Sequence, residues 1–525
     1  MKKTIILVIL FLGKILSAQN FEVVVGKKLE KSKTGAVLDQ MISNTSDGYW
    51  FYTKKLKYVL FDHKEYEEHL EIYDKDFSYN SKIDLSSKKD KIIVEQAINI
   101  NNLPVLLIRE ENKVEGYVDF DFSIFNKTGS IEKKVGIGRF KFKTNKDIPT
   151  ILTSHSPDSS LWVSTFFIDH DDKKDILKIY VSVVDKNLNE VWSKIVDMQN
   201  AQRMINIEQV SINNDGEVLI LYSESTGKKP IYKIDGKPGY QVKIAIINQT
   251  TLGNEMFKST LDLDECFSKF YYVKPMSNGN FSVHALISKN DQNYANGYAR
   301  HIYSKGNCEL KSKIFRYFSE KEIEQFKKEN LYISKGKQEG LNQFYKFVDV
   351  SFSNNGNSYI TLENSFFYKR LLDPFSKTNY SPTITTHHNY SYIILQANES
   401  GSNMNVETLP ASIGLYDGGI CNSAAVNMVN DKYFIIYNDH KDNPLTHTDS
   451  KIKTAFFFED LAPIIAWFDE KEGWKRQHLF DVEKIDGSVV ISSISKINQN
   501  QLVFTLFEPQ TMKDPFVNMG LITIK

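Results

Sequence analysis

One short pattern recurs along this chain: a polar pair suited to a tight turn, then an apolar or alternating run. It falls at Asp47-Gly48, Asn101-Asn102, Asp158-Ser159, Asp215-Gly216, Asn278-Gly279, Asn355-Gly356, Asn430-Asp431 and Gln499-Asn500. Asn, Asp and Gly accept the positive φ that tight hairpin turns demand. The runs that follow include YWFYT, PVLLIRE, EVLILYS, FSVHALIS, SYITLEN and YFIIYND, each of which reads as a strand leaving its turn. The turns lie roughly 54 to 77 residues apart, and self-similarity of this kind marks a repeat architecture.

A second hairpin follows inside each unit, as in IYVSVVDKNLNEVWSKI, IAIINQTTLGNEMFKS and IIAWFDEKEGWKRQHLF. Two hairpins make four strands, and four-stranded units repeated radially are the blades of a β-propeller. The expected fold is therefore all-β, a β-propeller of about eight four-stranded blades, with seven as the fallback. An array of unrelated hairpins and a pair of β-sandwiches are the alternatives. The last unit supplies only three strands, ending in MGLITIK, and FEVVVGKKLE at residues 21–30 stands where the fourth is needed. Pairing the two would close the ring and remove its open edge. One helix interrupts the pattern: in SEKEIEQFKKEN, residues 319–330, Ser319 and Glu322 form a capping box on a short helical insertion.

At 525 residues the chain is long for one ordinary core, but a repeat fold packs each unit only on its neighbours. Lys+Arg and Asp+Glu are both 65, a balance that argues against a nucleic-acid partner, which needs a positive footprint. Residues 1–18 carry Lys2 and Lys3, an apolar run from Thr4 to Leu16 and the small pair Ser17-Ala18, the pattern of a secretory signal peptide. The expectation is export to the periplasm or the extracellular space, with residues 19–525 as a single propeller domain. No later run is long and apolar enough to span a membrane. The three cysteines are Cys266, Cys308 and Cys421. The blade register puts Cys308 on the tight-turn face and the other two on the opposite face a blade apart, so three free thiols are expected.

In a four-stranded blade both hairpin turns lie on one face, and the middle loop and the link between blades on the other. That second face collects the long loops, which are usually functional or mobile. Three groups of residues there are the weak binding candidates. Asp169, His170 and Asp171, with Asp172 and Asp175, are clustered oxygen ligands without the glycine turn of a calcium loop. Asp439, His440, His447 and Asp449 mix acid-base residue types without an HExxH pattern. Phe366, Phe367, Tyr368 and Arg370 place aromatics and arginine, the residues of binding hot spots, in a long loop. The plain readings are solvated polar loops for the first two groups and packing of the loop on its own blade for the third. No catalytic residue, metal site or cofactor is indicated: GxSxG, GxxxxGK[ST] and paired CxxC motifs are all missing.

The repeats together with FIIYNDHKDN at residues 434–443 resemble the divergent secreted β-propeller proteins of bacteria that have no assigned activity. The resemblance covers nearly the whole mature chain and implies no catalytic residue. The expected role is a binding or scaffold module for a protein, peptide or glycan, acting through the long-loop face. The alternative is a glycan-active hydrolase or lyase with its site at the central channel. A structural envelope component is the third reading.

Overall fold

The computed structural model describes residues 21–25, 37–46, 48–57, 65–85, 92–144, 147–168, 176–227, 232–250, 256–289, 294–329, 340–342, 344–371, 383–398, 404–416, 421–445, 452–469, 472–481, 485, 487–510 and 513–525. The expected signal peptide, Asp169 to Asp171, His447 and Asp449 lie outside them. Eight four-stranded antiparallel sheets make the blades of a β-propeller. Blades 1 to 7 begin with inner strands Val37–Thr45, Ile92–Ile100, Thr150–His155, Ile205–Ile212, Phe267–Pro275, Tyr345–Phe352 and Ala424–Val429. Blade 8 takes Ser488–Asn498, Gln501–Gln510 and Lys513–Ile524 from the C-terminal end and Phe21–Val25 from the N-terminal end.

That last pairing is the expected closure. Phe21 lies opposite Ile524 and Val25 opposite Gly520 in an antiparallel ladder. Phe21 is buried, and its ring meets Trp467 of blade 7 edge-on at 5.6 Å. The closing strand is therefore held by packing as well as by its ladder.

The blades stack face to face, so the second and third strands are covered on both sides. Such strands read as continuous apolar runs rather than alternating ones. Phe281–Ser288 is buried at every residue, whereas the outermost strand of the same blade, Leu310–Tyr317, has a single buried residue. The hydrophobic cores lie between blades: Trp50, Leu70 and Val94 join blades 1 and 2, and Leu221, Val242 and Val283 join blades 4 and 5.

The turns divide into two kinds. Asn101-Asn102 and Asn430-Asp431 have both residues at positive φ, as two-residue hairpin loops require. At Gly216, Gly279 and Gly356 one glycine alone is left-handed, closing a longer loop. In those loops an Asn side chain replaces the missing ladder: Asn213 Oδ1 accepts the N–H groups of Asp215 and Glu217 at 3.1 and 2.9 Å. At Gly48, φ is +126° and a Cβ would sit 1.9 Å from the Tyr73 carbonyl oxygen, so only glycine fits.

The helix forms as expected, over Glu320–Glu329. Ser319 N–H and Oγ–H both donate to Glu322 Oε2, at 2.7 and 2.8 Å, and Glu322 N–H returns to Ser319 Oγ at 3.3 Å. Gln325 of the helix bonds Thr408 on the outermost strand of blade 6.

A feature of the inner strands was not anticipated. A bulge recurs near the same place, between Leu38 and Gln40, Val94 and Gln96, Ile207 and Gln209, Ser268 and Phe270, and Phe347 and Asp349. An extra residue turns the strand locally and re-aims the side chain that follows. Gln40 Nε2 then donates to the Ala97 carbonyl in blade 2 at 3.0 Å, and Gln96 Oε1 accepts Thr153 Oγ1–H in blade 3 at 2.5 Å. Asp349 Oδ1 accepts Tyr272 Oη–H at 2.9 Å and Lys274 Nζ–H at 3.0 Å from blade 5. These side chains staple blade 1 to blade 2, blade 2 to blade 3 and blade 5 to blade 6 around the channel.

Candidate functional site

The long-loop face is most elaborate at blade 6. Its second and third strands, Ser358–Leu371 and Thr383–Ala397, run well past the ring and carry the outermost strand Met404–Tyr416 with them. Phe366 to Leu371 are thus strand, not the long loop expected. The reason is their partners: Thr383, Ile384, Thr385 and Thr386 are β-branched and complete the ladder opposite them. Bulges between Glu363 and Ser365 and between Asn389 and Ser391 bend this arm away from the blade.

One face of the arm is aromatic. Phe366, His388 and Gly414 lie side by side across three strands. The Phe366 and His388 rings stack at 5.0 Å and 15°, and Phe344 covers Phe366 at 4.7 Å. Tyr390 Oη–H lies 2.6 Å from His388 Nδ1. A Cβ on Gly414 would come within 3.2 Å of Phe456 and 3.3 Å of His388, so the glycine lets both rings close over the strand. Burial holds the His388 imidazole below its ordinary pKa, with the charge of His387 adding to the effect. Four aromatic side chains around this arm face solvent: Phe367 is 64% exposed, Phe457 58%, Phe456 40% and Phe344 38%.

Phe456 and Phe457 arrive on the long loop of blade 7, which is tied down onto blade 6. Ala455 N–H donates to the Ser412 carbonyl at 2.9 Å, and Gly414 N–H to the Ala455 carbonyl at 2.8 Å. Asp439 is the centre of this tie. It is the second-to-last residue of the strand Lys432–His440 and is buried, where a polar loop was expected. Its Oδ1 accepts three N–H groups: Ser412 at 3.1 Å, His440 at 2.8 Å and Asn443 Nδ2 at 2.8 Å. Asn443 in turn grips Lys453, donating to its carbonyl at 3.0 Å and accepting its N–H at 2.7 Å. Burial pushes the Asp439 carboxyl up to about 7, against the pull of those hydrogen bonds. His440 Nδ1 accepts the Asp442 N–H at 3.1 Å, so its proton sits on Nε2.

The structure therefore separates the sequence candidates. Phe366 belongs to the aromatic face. Asp439 and His440 belong to a latch that presents Phe456 and Phe457. Tyr368 and Arg370 lie on the arm's strand, with side chains outside the described residues. Elsewhere on this face a cavity of about 340 Å³ opens beside Tyr240, Asp262 and Cys266, with Lys237 and Glu265 paired at 2.7 Å on its rim. Among the described residues no group of three His, Cys, Asp or Glu side chains is placed to hold a metal ion. No helix among them is long and apolar enough to cross a membrane. All three cysteines are buried free thiols.

No protein-family model matches this chain, and no curated protein sequence does. Among solved structures it is similar to the acylaminoacyl peptidase of Pyrococcus horikoshii, at 10% identity and a TM-score of 0.35, over 93% of this chain and 60% of that one. It is similar to the Trypanosoma rangeli sialidase at 10% identity and a TM-score of 0.27, over 77% of this chain and 56% of that one. A Dyadobacter fermentans protein of unknown function is similar at 9% identity and a TM-score of 0.28, over 72% and 94% of the two chains. The chain thus spans about 60% of the length of the peptidase. At this level of likeness no activity passes from those proteins to this one.

Proposed function

We propose that this protein is an exported β-propeller that acts as a binding or scaffold module, taking a protein, peptide or glycan ligand on its long-loop face at the arm of blade 6. The observation that carries this reading is the surface itself. Phe367 and Phe457 stand more than half exposed, Phe367 on the face of the arm opposite Phe366 and Phe457 on the loop tied down by the Asp439 latch. Aromatic side chains lose little freedom on binding and dominate interface energetics. Export rests on the charged and apolar pattern of residues 1–18 and on the single-domain reading of residues 19–525.

The test is saturable binding of the purified mature protein to envelope material from the organism that makes it. Phe367→Ser and Phe457→Ser together should weaken retention at least tenfold without changing the melting temperature. Equal retention by wild type and variant would remove this face from consideration. A hydrolase or lyase is the competing reading, and Asp439 is a buried carboxyl on this face whose raised pKa favours it. Its acceptor oxygen is engaged by three donors within the latch, which favours a structural role. Turnover of an envelope polysaccharide that disappears in Asp439→Asn would reverse that preference.

A further inference from the structure

The opposite face, where the tight turns gather, holds a cavity of about 600 Å³ at the mouth of the channel. It lies among the inner strands of blades 8, 1, 2 and 3, and its volume falls within the ~300–1,000 Å³ of ordinary small-molecule sites. Its described lining is made of carboxamides, hydroxyls and an aromatic pair, with no carboxylate and with Lys496 as its one cation.

Two carboxamides are oriented by the inter-blade staples. Gln40 spends its Nε2 on the Ala97 carbonyl at 3.0 Å, which leaves Oε1 as an acceptor. Gln96 spends its Oε1 on the Thr153 hydroxyl at 2.5 Å, which leaves the Nε2 hydrogens without a partner among the described residues. As placed, one amide offers an acceptor and its neighbour a donor; Gln40 cannot flip without setting its oxygen against the Ala97 carbonyl, whereas Gln96 meets a Thr153 hydroxyl that can both donate and accept. A hydroxyl group, which both donates and accepts, satisfies such a pair. A cation or an anion satisfies only one side of it.

The aromatic pair stands on the blade 3 side. His155 is exposed, and its ring lies 5.0 Å from that of Trp162 at 38°. His155 Nδ1 is 2.8 Å from the Ser156 carbonyl, so in the neutral ring Nδ1 carries the proton and Nε2 offers a lone pair. Trp162 is 7% exposed, and its Nε1–H has no acceptor among the described residues. Buried polar groups left this way are uncommon and call for an explanation. The exposed His155 ring, backed by the buried Trp162 ring, stands beside neutral hydrogen-bonding groups, as the C–H face and hydroxyl rim of a sugar ring require.

We propose that this mouth of the channel is a binding site for a neutral saccharide, held between the Gln40 and Gln96 carboxamides and the His155–Trp162 pair. It lies on the other face from the blade 6 arm and does not depend on that reading.

Calorimetric titration of the full mature protein with cellotetraose, maltotetraose, mannotetraose and chitotetraose tests it, with tetraglycine as a neutral peptide control. Saturable binding of at least one of the four sugars is expected. Gln96→Glu keeps the acceptor for Thr153 and removes the donor; it should weaken that binding at least tenfold, as should His155→Ala, with melting unchanged. Trp162→Phe should abolish most of the sugar-induced change in fluorescence while keeping the packing. Phe367→Ser should leave sugar binding as in wild type. Absence of binding to all four sugars overturns the proposal. So does binding that both Gln96→Glu and His155→Ala leave intact, and so does a preference for tetraglycine.

Discussion

Gln209 in blade 4 holds both polar groups of one backbone unit in blade 5: its Oε1 accepts the Val273 N–H at 2.8 Å, and its Nε2 donates to the Val273 carbonyl at 3.3 Å. Val273 lies on an inner strand and is itself buried. Gln209→Ala removes both partners at once. Leaving a buried donor or acceptor unmade costs about 1–3 kcal/mol. The urea midpoint should fall accordingly, with an unchanged m-value. A midpoint equal to wild type would show that water replaces the staple without loss.

Closure of the ring gives a larger effect. Phe21→Ala empties a position between Trp467 and the blade 8 strands. Removal of a buried phenylalanine side chain costs about 3–5 kcal/mol. Deleting residues 21–25 goes further and bares the edge of the strand Lys513–Ile524, so association at micromolar concentration is expected. Light scattering and thermal melting check both; a monomeric deletion variant with wild-type melting would contradict the role of this strand.

The thiols should be silent in the native protein. Burial pushes Cys308 and Cys421 up to about 12, and it raises Cys266 as well. The thiolate is the reactive form, so little of it is present at pH 8. A colorimetric thiol reagent should report almost nothing before denaturation and all three cysteines after it. Prompt reaction of the folded protein would mean that a thiol is more accessible than its packing implies.

Asp439 makes stability depend on pH in an unusual direction. Burial raises its folded pKa to about 7, above the ordinary aspartate value of 3.8. Between those values the folded state binds more proton than the unfolded state, so stability falls as pH rises. The contribution is fully present below about pH 4 and is lost as pH passes through 7, with a limiting slope of about 1.4 kcal/mol per pH unit. Asp439→Asn keeps the oxygen that accepts from Ser412, His440 and Asn443 and cannot ionise. Its difference in stability from wild type should therefore grow between pH 5 and pH 8. A constant difference across that range would show that Asp439 does not titrate there.

The blade register was legible in the sequence because the turns need residues of special backbone freedom. Asn101-Asn102, Gly216, Gly279 and Gly356 all have the positive φ that their identities suggested. The closing strand was legible for a different reason: MGLITIK left one partner missing. The blade 6 arm was not. Lys369, Arg370, Asp373 and Pro374 break the apolar pattern, and only the ladder with Thr383 to Thr386 shows that strand continues to Leu371. Asp439 read as a loop residue because its partners, Ser412 and Asn443, are brought to it by the fold. The staples did leave a trace. LDQM, VEQA and IEQV place an acid-glutamine pair a few residues before three of the turns, at Gln40, Gln96 and Gln209.

The ladder between Phe21 and Ile524 also sets the order of events during synthesis. The strand Phe21–Val25 is made before blades 1 to 7 and its partner Lys513–Ile524 after them, so the ring cannot close until residue 524 has emerged. Blades 1 to 7 can form in turn from consecutive strands, but blade 8 waits for Lys513–Ile524. Joining segments so distant in sequence is a slow step, because the entropy of closing so long a loop is lost before the contacts form. Until that strand arrives the ring stays open to threading and to chaperones, and blades 1 to 7 must hold their fold without the last one beside them.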